Sequence, residues 1–535
     1  MKKINTALFC LFVLLFCSCD VLNKAPLDEI ADDSFWSDET LVKYYVNDLY
    51  SEISVDGLQL QENRSDNSVS AQRDKYRASW FKFNYDMVSA SDPQDDDVWE
   101  DYYVKVRKCN RFFERIGTST IEESEKSRLT GEVHFLRAMF YFEMVKRYGG
   151  VILLDKVLTM EDNWEIPRSS EKECYDFILE DLKKATEMLP ASYGSREKGR
   201  ATKGAAYALK SRVELYDKRY EDVIKSCAEV YKLVDGTTPE KYRSIWWTTN
   251  KDNKEIIFDV QYKSPDVYNN MMVCNMVTYI NDKYGDRGWG GLGPTQELID
   301  AFEMADGTPA TQYSQAPADQ VFDINTCGIY EGREPRFYAN IVFHGSQIFF
   351  NADKGAVTVD RYLMDTPDKG DGSLTGYNVW KWIDYDNYNY PYAGAGSPDF
   401  STNWIILRYA EIYLNDAEAR LETGDVEGAR KAVNMIRQRV GLPDLTESDP
   451  EKLRELIRKE RRIEFAFEEQ RFYDVRRWKI GPETQTTLHG VRFVSPTEFK
   501  VTKTDIRTWN DRLYLTPVPH DEIVRSSVLK QNPGY

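Results

Sequence analysis

Histidine is scarce in this chain: four among 535 residues, at positions 134, 344, 489 and 520. None has HExxH spacing and none neighbours a cysteine that could complete a zinc site, so no metal motif is present. Cysteine adds little. Of eight, Cys10, Cys17 and Cys19 fall in the first twenty residues, and Cys109, Cys174, Cys227, Cys274 and Cys327 form an odd set without a CxxC pair. No disulfide framework is implied, and the first three of that set, inside helical patterns, read as small buried hydrophobes. Positive charge is in deficit, 70 Lys and Arg against 88 Asp and Glu, a net charge of −18. Nucleic acid, whose phosphates are neutralised by Lys and Arg, is excluded as a partner, as is holding an anionic membrane by charge. The apolar run Ala7 to Cys17 is about half the roughly 20 residues that a spanning helix needs. No GxSxG elbow and no Walker loop occurs, and no pair of carboxylates stands out for sugar hydrolysis.

What is present begins with the leader. Lys2 and Lys3, a short apolar run and Ser18 before Cys19 form a secretory signal that ends in a lipid-attachment site. Residues 1–18 are the signal peptide and Cys19 the lipidated first residue of the mature chain, followed by a tether to residue 38. Cys17 is unsuited to that role, because Phe16 stands where the peptidase needs a small side chain. A bacterial lipoprotein cysteine carries several acyl chains, enough for stable anchoring.

Helical periodicity dominates both ends. Thr40 to Ile53 aligns Leu41, Tyr44, Tyr45, Leu49 and Ile53, and Trp99 to Ile116 aligns a second stripe. Thr130 to Tyr148 stops at Gly149-Gly150. Glu171 to Leu189 is headed by the capping box Ser170 and Glu173. Gly199 to Asp217 and Tyr220 to Leu233 are joined by only Lys218-Arg219, which forces an antiparallel pair. Ile405 to Thr423 and Val426 to Val440 form another such pair around Gly424-Asp425, and Pro450 to Trp478 is an Arg/Glu-rich helix with an apolar face whose Glu464 and Arg471 are placed to pair with other hairpins. These hairpins resemble tetratricopeptide units, though not at a regular period. The fold class is therefore mainly α, a superhelix of helical hairpins over 39–235 and 404–535, with a loop-rich insertion over 236–403. Short β-like runs, Glu255 to Tyr262 and Ala339 to Phe343, lie in that insertion.

The C-terminal third also carries Arg408-Tyr409-Ala410-Glu411-Ile412-Tyr413-Leu414, Arg458-Lys459-Glu460-Arg461-Arg462-Ile463-Glu464-Phe465, Phe472-Tyr473-Asp474-Val475-Arg476-Arg477-Trp478, Leu515-Thr516-Pro517-Val518-Pro519 and the closing Asn532-Pro533-Gly534-Tyr535. The N-terminal half adds Phe135-Leu136-Arg137-Ala138, Gly149-Gly150-Val151 and Gly288-Trp289-Gly290-Gly291-Leu292-Gly293-Pro294. In this order the segments resemble the RagB/SusD family of outer-membrane nutrient-binding lipoproteins. The resemblance implies four tetratricopeptide-like hairpins, a ligand site on loops, and a SusC-type TonB-dependent outer-membrane transporter as partner. Asp20 departs from the residue that many Gram-negative bacteria place after an outer-membrane lipid site; where SusD-like proteins occur, acidic residues there are compatible with export, so surface exposure rests on the resemblance.

Aromatic residues make up 13% of the chain, with 34 Tyr and 12 Trp. Flat rings with polar handles suit a sugar, whose C–H faces stack while its hydroxyls bond Asp, Asn or Arg. Three loop regions concentrate them: Arg73 to Asp92 with Tyr76, Trp80, Phe81, Asn84 and Tyr85; Tyr284 to Trp289 with Asp286 and Arg287; and Trp380 to Tyr392 with Trp382, Tyr385, Tyr388 and Tyr390. The preferred contacts are Trp80, Trp289 and Tyr390, with Arg73 and Asp286 as hydroxyl partners and Trp382 and Tyr388 beside them. Asp95-Asp96-Asp97 reads as capping of the helix that follows rather than a calcium loop. No catalytic residue, metal or cofactor is expected. The ligand is read as a glycan, with capture of peptide or a surface glycosidase as the alternatives.

Overall fold

The computed structural model describes residues 32–53, 60–70, 81–236, 242–263, 267, 274–275, 277, 290–349, 356–364, 373–384 and 401–535. Cys19 lies outside them. The helices are α1 (Glu39–Ser51), α2 (Trp99–Ile116), α3 (Glu123–Tyr148), α4 (Glu171–Met188), α5 (Lys203–Tyr216), α6 (Tyr220–Leu233), α7 (Gln296–Ala301), α8 (Tyr409–Glu422), α9 (Val426–Arg439), α10 (Pro450–Glu464) and α11 (Gln470–Trp478), besides several shorter turns. The strands are short: β1 (Ser68–Val69), β2 (Ile256–Val260), β3 (Gly293–Pro294), β4 (Val321–Asp323), β5 (Ile341–Val342), β6 (Gln347–Phe349), β7 (Ala356–Thr358), β8 (Asn378–Val379), β9 (Trp404–Arg408), β10 (Thr487–Phe493) and β11 (Glu498–Ile506).

Several helices start at side-chain caps. The Asp38 side chain accepts the Thr40 and Leu41 N–H groups ahead of α1. The Ser170–Glu173 capping box forms in full, Glu173 N–H to Ser170 Oγ at 3.2 Å and Ser170 N–H to Glu173 Oε2 at 2.8 Å. Asp449 caps α10, with Pro450 at its first turn, where a missing N–H costs nothing. Helices α2 to α6 pack each on the next in chain order, and α6 packs on α8 as though the insertion between them were absent. That continuity is made at one doorway, where β2, near the start of the insertion, pairs antiparallel with β9, just past its end. Side chains between the layers are small where helices come closest. A Cβ on Gly131 of α3 would stand 2.8 Å from Met188 Cβ of α4.

One apolar core runs through the N-terminal helices, including Val106, Phe112, Leu136, Leu182 and Leu209, all at or near zero exposure. A second joins the insertion to β10 and β11, and a third fills the angle between α8, α9 and α10. Cys109, Cys174 and Cys227 are buried in α2, α4 and α6, as small hydrophobes would be.

Five expectations change. Tyr44 is 62% exposed and stands off the apolar stripe of α1. The helix expected to begin at Ile405 begins at Tyr409, because Trp404–Arg408 pairs with β2 instead. Pro450 to Trp478 is two helices, with Phe467 and Glu469 at φ of 67° and 59°, left-handed values that no continuous helix admits. Asp96 is also more than a cap. Burial pushes its carboxyl upward, but Arg147, Arg476 and Arg64 outweigh that and hold it well below the usual range. Asp97 keeps the capping role, accepting the Trp99 N–H at 3.2 Å. The tail folds into a β10–β11 hairpin extended by β4, which the helical reading of 404–535 did not anticipate.

Candidate functional site

Of the three aromatic segments, residues 71–80, 281–289 and 385–400 lie outside the described residues, and with them Arg73, Trp80, Asp286, Trp289, Tyr388 and Tyr390. Their flanks are described, and those flanks meet. β1, which leads toward residue 71, pairs antiparallel with β3, which follows residue 289: Ser68 opposes Pro294 and Val69 opposes Gly293. β3 lies in turn beside β8, which leads into the third segment. The joint is tight. A Cβ on Gly293 would come within 2.7 Å of the Val69 carbonyl oxygen and 3.0 Å of Thr375 Oγ1. Asn63 Nδ2 donates to the Gly291 carbonyl at 3.0 Å, and Thr295 Oγ1 to the Asp66 carbonyl at 2.7 Å. Segments distant in sequence are thus rooted on one patch of backbone.

The described members of the aromatic clusters serve as footings. Phe83 packs edge-on against Phe472 at 5.0 Å, Asn84 Nδ2 donates to the Asn63 carbonyl at 3.0 Å, and the Tyr85 hydroxyl donates to Asp505 Oδ1 at 2.9 Å. Arg243 lies 4.0 Å over the ring of Trp380. Trp382 does not have the ligand-facing position expected of it. It is 1% exposed, stacked on Trp404 at 4.7 Å and met edge-on by Trp246 at 5.7 Å, and its indole N–H donates to the Phe467 carbonyl. Core packing covers the faces a sugar would need.

Beneath this patch lies a buried charge network that the sequence showed only in part. Lys381 Nζ donates to the carbonyls of Glu464 and Ala466, both at 3.0 Å, and to Glu468 Oε1 at 2.5 Å. Burial, only partly offset by Glu468, pulls its pKa down to about 8. Glu62 accepts the Phe467 and Glu469 N–H groups at 3.0 and 3.2 Å, and its burial raises its carboxyl above the usual range. Arg408 Nε bonds Glu468 at 2.7 Å and its Nη1 bonds Glu464 at 2.6 Å. Arg336 and Arg439 also reach Glu464, so that, against burial, three guanidinium groups hold its carboxyl far below the ordinary value. Arg471 pairs with Asp66 at 2.8 Å. The pairing with another hairpin expected of Glu464 is present, through Arg439, whereas Arg471 pairs with Asp66, which lies on no hairpin helix; Glu62 and Lys381, polar residues outside any motif, gave no signal in the sequence.

These carboxylates are committed to backbone N–H groups, as Glu62 is, or to arginine and lysine side chains, as Glu464, Glu468 and Asp66 are. His134 and His489 are likewise engaged, their Nδ1 atoms 2.7 Å from Asp181 and 2.6 Å from Glu297.

Known proteins share this architecture. A crystal structure of a SusD-like protein from Bacteroides fragilis NCTC 9343 is 98% identical, with a TM-score of 0.91, covering 96% of this chain and all of that one. A second from the same organism, described as a SusD-like carbohydrate binding protein, is 25% identical with a TM-score of 0.79 over 93% of this chain and all of that one. SusD-like protein P25 of Formosa agariphila is 24% identical over the full length of both chains. The family model described as "Starch-binding associating with outer membrane" matches residues 21–215. The SusD family model matches residues 254–535, the larger part of the chain and the part that carries the doorway, the β1–β3–β8 patch's last two strands and the charge network apart from Glu62 and Asp66. The helical stack, the motifs in their order and this match place the chain in the SusD family.

Proposed function

We propose that the protein is a surface-exposed outer-membrane lipoprotein, anchored through Cys19, that captures an oligosaccharide without turning it over and passes it to a SusC-type TonB-dependent transporter. The observation that carries this reading is that the described flanks of three aromatic-rich segments meet at β1, β3 and β8. Rings held on a fixed base lose little freedom when they stack on a sugar, so binding costs less ordering entropy. The relative described as a carbohydrate binding protein supports the ligand class. Trp80, Trp289 and Tyr390 are the proposed stacking residues, Arg73 and Asp286 the hydroxyl partners, and Tyr388 a neighbour; Trp382 is withdrawn.

Calorimetry with a panel of oligosaccharides and peptides tests the reading. Saturable heat with a glycan, largely lost in Trp289→Ala, is the expected result. Binding of peptides alone, or release of reducing ends in proportion to protein, overturns it.

A further inference from the structure

Away from that patch, a cleft of about 380 Å³ opens between α3, the start of α4, the end of α5, α11 and the segment at Tyr514. None of its lining belongs to β1, β3 or β8. Six cations line it, Lys146, Lys172, Lys218, Arg476, Arg477 and Lys479, against two carboxylates, Glu171 and Asp217. In a chain of net charge −18 such a concentration is against the general balance.

Several of these cations are poorly compensated. Lys218 and Lys479 have no carboxylate within ion-pair distance among the described residues, whereas Lys172 is 3.3 Å from Asp176 and Arg477 is held by Glu418 and Asp474. Arg476 is 6% exposed, and its nearest carboxylate contact, Nη1 to Asp96 Oδ2, is long at 3.6 Å. Lys146 is paired with Glu143 at 2.6 Å, yet burial still pulls its pKa to about 8, and burial lowers Arg476 and Lys479 as well. Lys218 and Lys479 are exposed, whereas Arg476 is buried with its Nη1 lacking a hydrogen-bond partner among the described residues; a buried cation so thinly matched is costly, and a bound anion relieves that cost. The walls are aromatic. Lys146 Nζ sits 4.0 Å from the centre of the Tyr473 ring and Lys479 Nζ 3.9 Å from that of Tyr514. The Tyr473 hydroxyl is buried without a hydrogen-bond partner among the described residues.

We infer that this cleft is a second binding site, for an oxyanion of the carboxylate, sulfate or phosphate class, held by Lys146, Lys218, Arg476 and Lys479 against tyrosine walls. It is large enough for the anion to be carried on a single sugar ring.

Titration calorimetry of the full-length chain with sodium sulfate, inorganic phosphate and sodium glucuronate, at ionic strength fixed with chloride, tests it. Saturable binding with one site per chain is expected. Lys218 and Lys479 both have φ of 58°, which Asn tolerates, so Lys218→Asn/Lys479→Asn removes two charges without backbone strain. That variant should bind at least tenfold more weakly while its affinity for the glycan is unchanged. Lys172→Gln, at a side chain 72% exposed, gives a smaller loss with no demand on folding. Tighter binding of glucuronate than of sulfate identifies an acidic sugar as the source, and the reverse order a free inorganic anion. No saturable heat with any of the three probes, or affinity unchanged in both variants, overturns the inference.

Discussion

The Trp382 indole N–H donates to the Phe467 carbonyl oxygen at 2.7 Å, across 85 residues of chain. Phe467 is one of two left-handed residues that part α10 from α11, and a break inside a protein exposes backbone groups that must find partners. Trp382 and Lys381 serve the carbonyls, and Glu62 serves the N–H groups. A residue that composition assigns to a sugar platform is therefore a pin in the core.

Trp382→Phe tests that assignment. An aromatic ring is kept, but the hydrogen bond is lost, leaving a buried carbonyl unpaired for a cost of about 1–3 kcal/mol, and the smaller ring leaves a cavity that adds to it. The melting temperature should fall while affinity for the glycan stays within twofold. A variant that melts like the native chain but loses the ligand returns Trp382 to the site.

Glu464 gives a second test. Replacing it by Gln leaves Arg336, Arg408 and Arg439 facing a neutral group in a dry site, and breaking a buried pair in this way costs about 3–5 kcal/mol. The sign with pH follows from its carboxyl lying far below the ordinary value in the folded chain. Its stabilising contribution is complete above the unfolded carboxylate pKa of about 4.3 and is lost as pH falls from there toward the folded value. Urea unfolding between pH 7 and pH 3 should show a shallower loss of stability in Glu464→Gln than in the native chain. Equal slopes remove Glu464 from the network.

The roots of the loops are open to a controlled pair of glycine substitutions. Ala at Gly293 drives a Cβ to 2.7 Å from the Val69 carbonyl, a backbone atom that cannot step aside, so β1 and β3 must part. Ala at Gly117, where nothing lies within 4 Å and φ is −62°, should be neutral or stabilising by about 0.4–1 kcal/mol. Gly293→Ala is expected to weaken glycan binding severalfold and lower the melting temperature, with Gly117→Ala as the control. Retained affinity at Gly293→Ala separates the ligand from the β1–β3 joint.

These cases show where sequence reasoning reaches and where it stops. The capping box at Ser170, the two-residue link at Lys218-Arg219 and the stripe of α2 depend on neighbours three or four residues apart, and the structure has them as expected. Arg408 and Glu464 could be singled out by their motifs, though not their partners. The break at Phe467 could not be foreseen, because the groups that hold it come from residues 62, 381 and 382, and a helix-like pattern of apolar residues runs straight through it. Trp382 fails for the same reason. An aromatic residue between loop-like neighbours reads alike whether its faces meet sugar or tryptophan, and only Trp246 and Trp404, distant in sequence, decide which.

The anchor is tested at Cys19. Each buried methylene of an acyl chain contributes about 0.8 kcal/mol to membrane attachment, and the several chains proposed on this one cysteine would make anchoring stable. With a net charge of −18 the chain is repelled by anionic lipid, and among the described residues no helix is long and apolar enough to cross a membrane. Cys19→Ser should therefore move the protein from the membrane pellet to the soluble fraction, at low salt as fully as at high salt, since a repulsive surface has no charge attraction for salt to release. The freed chain should keep its glycan affinity, because the loop roots lie on β1, β3 and β8. A Cys19→Ser chain that still sediments with membranes at both ionic strengths shows attachment by some means other than acylation.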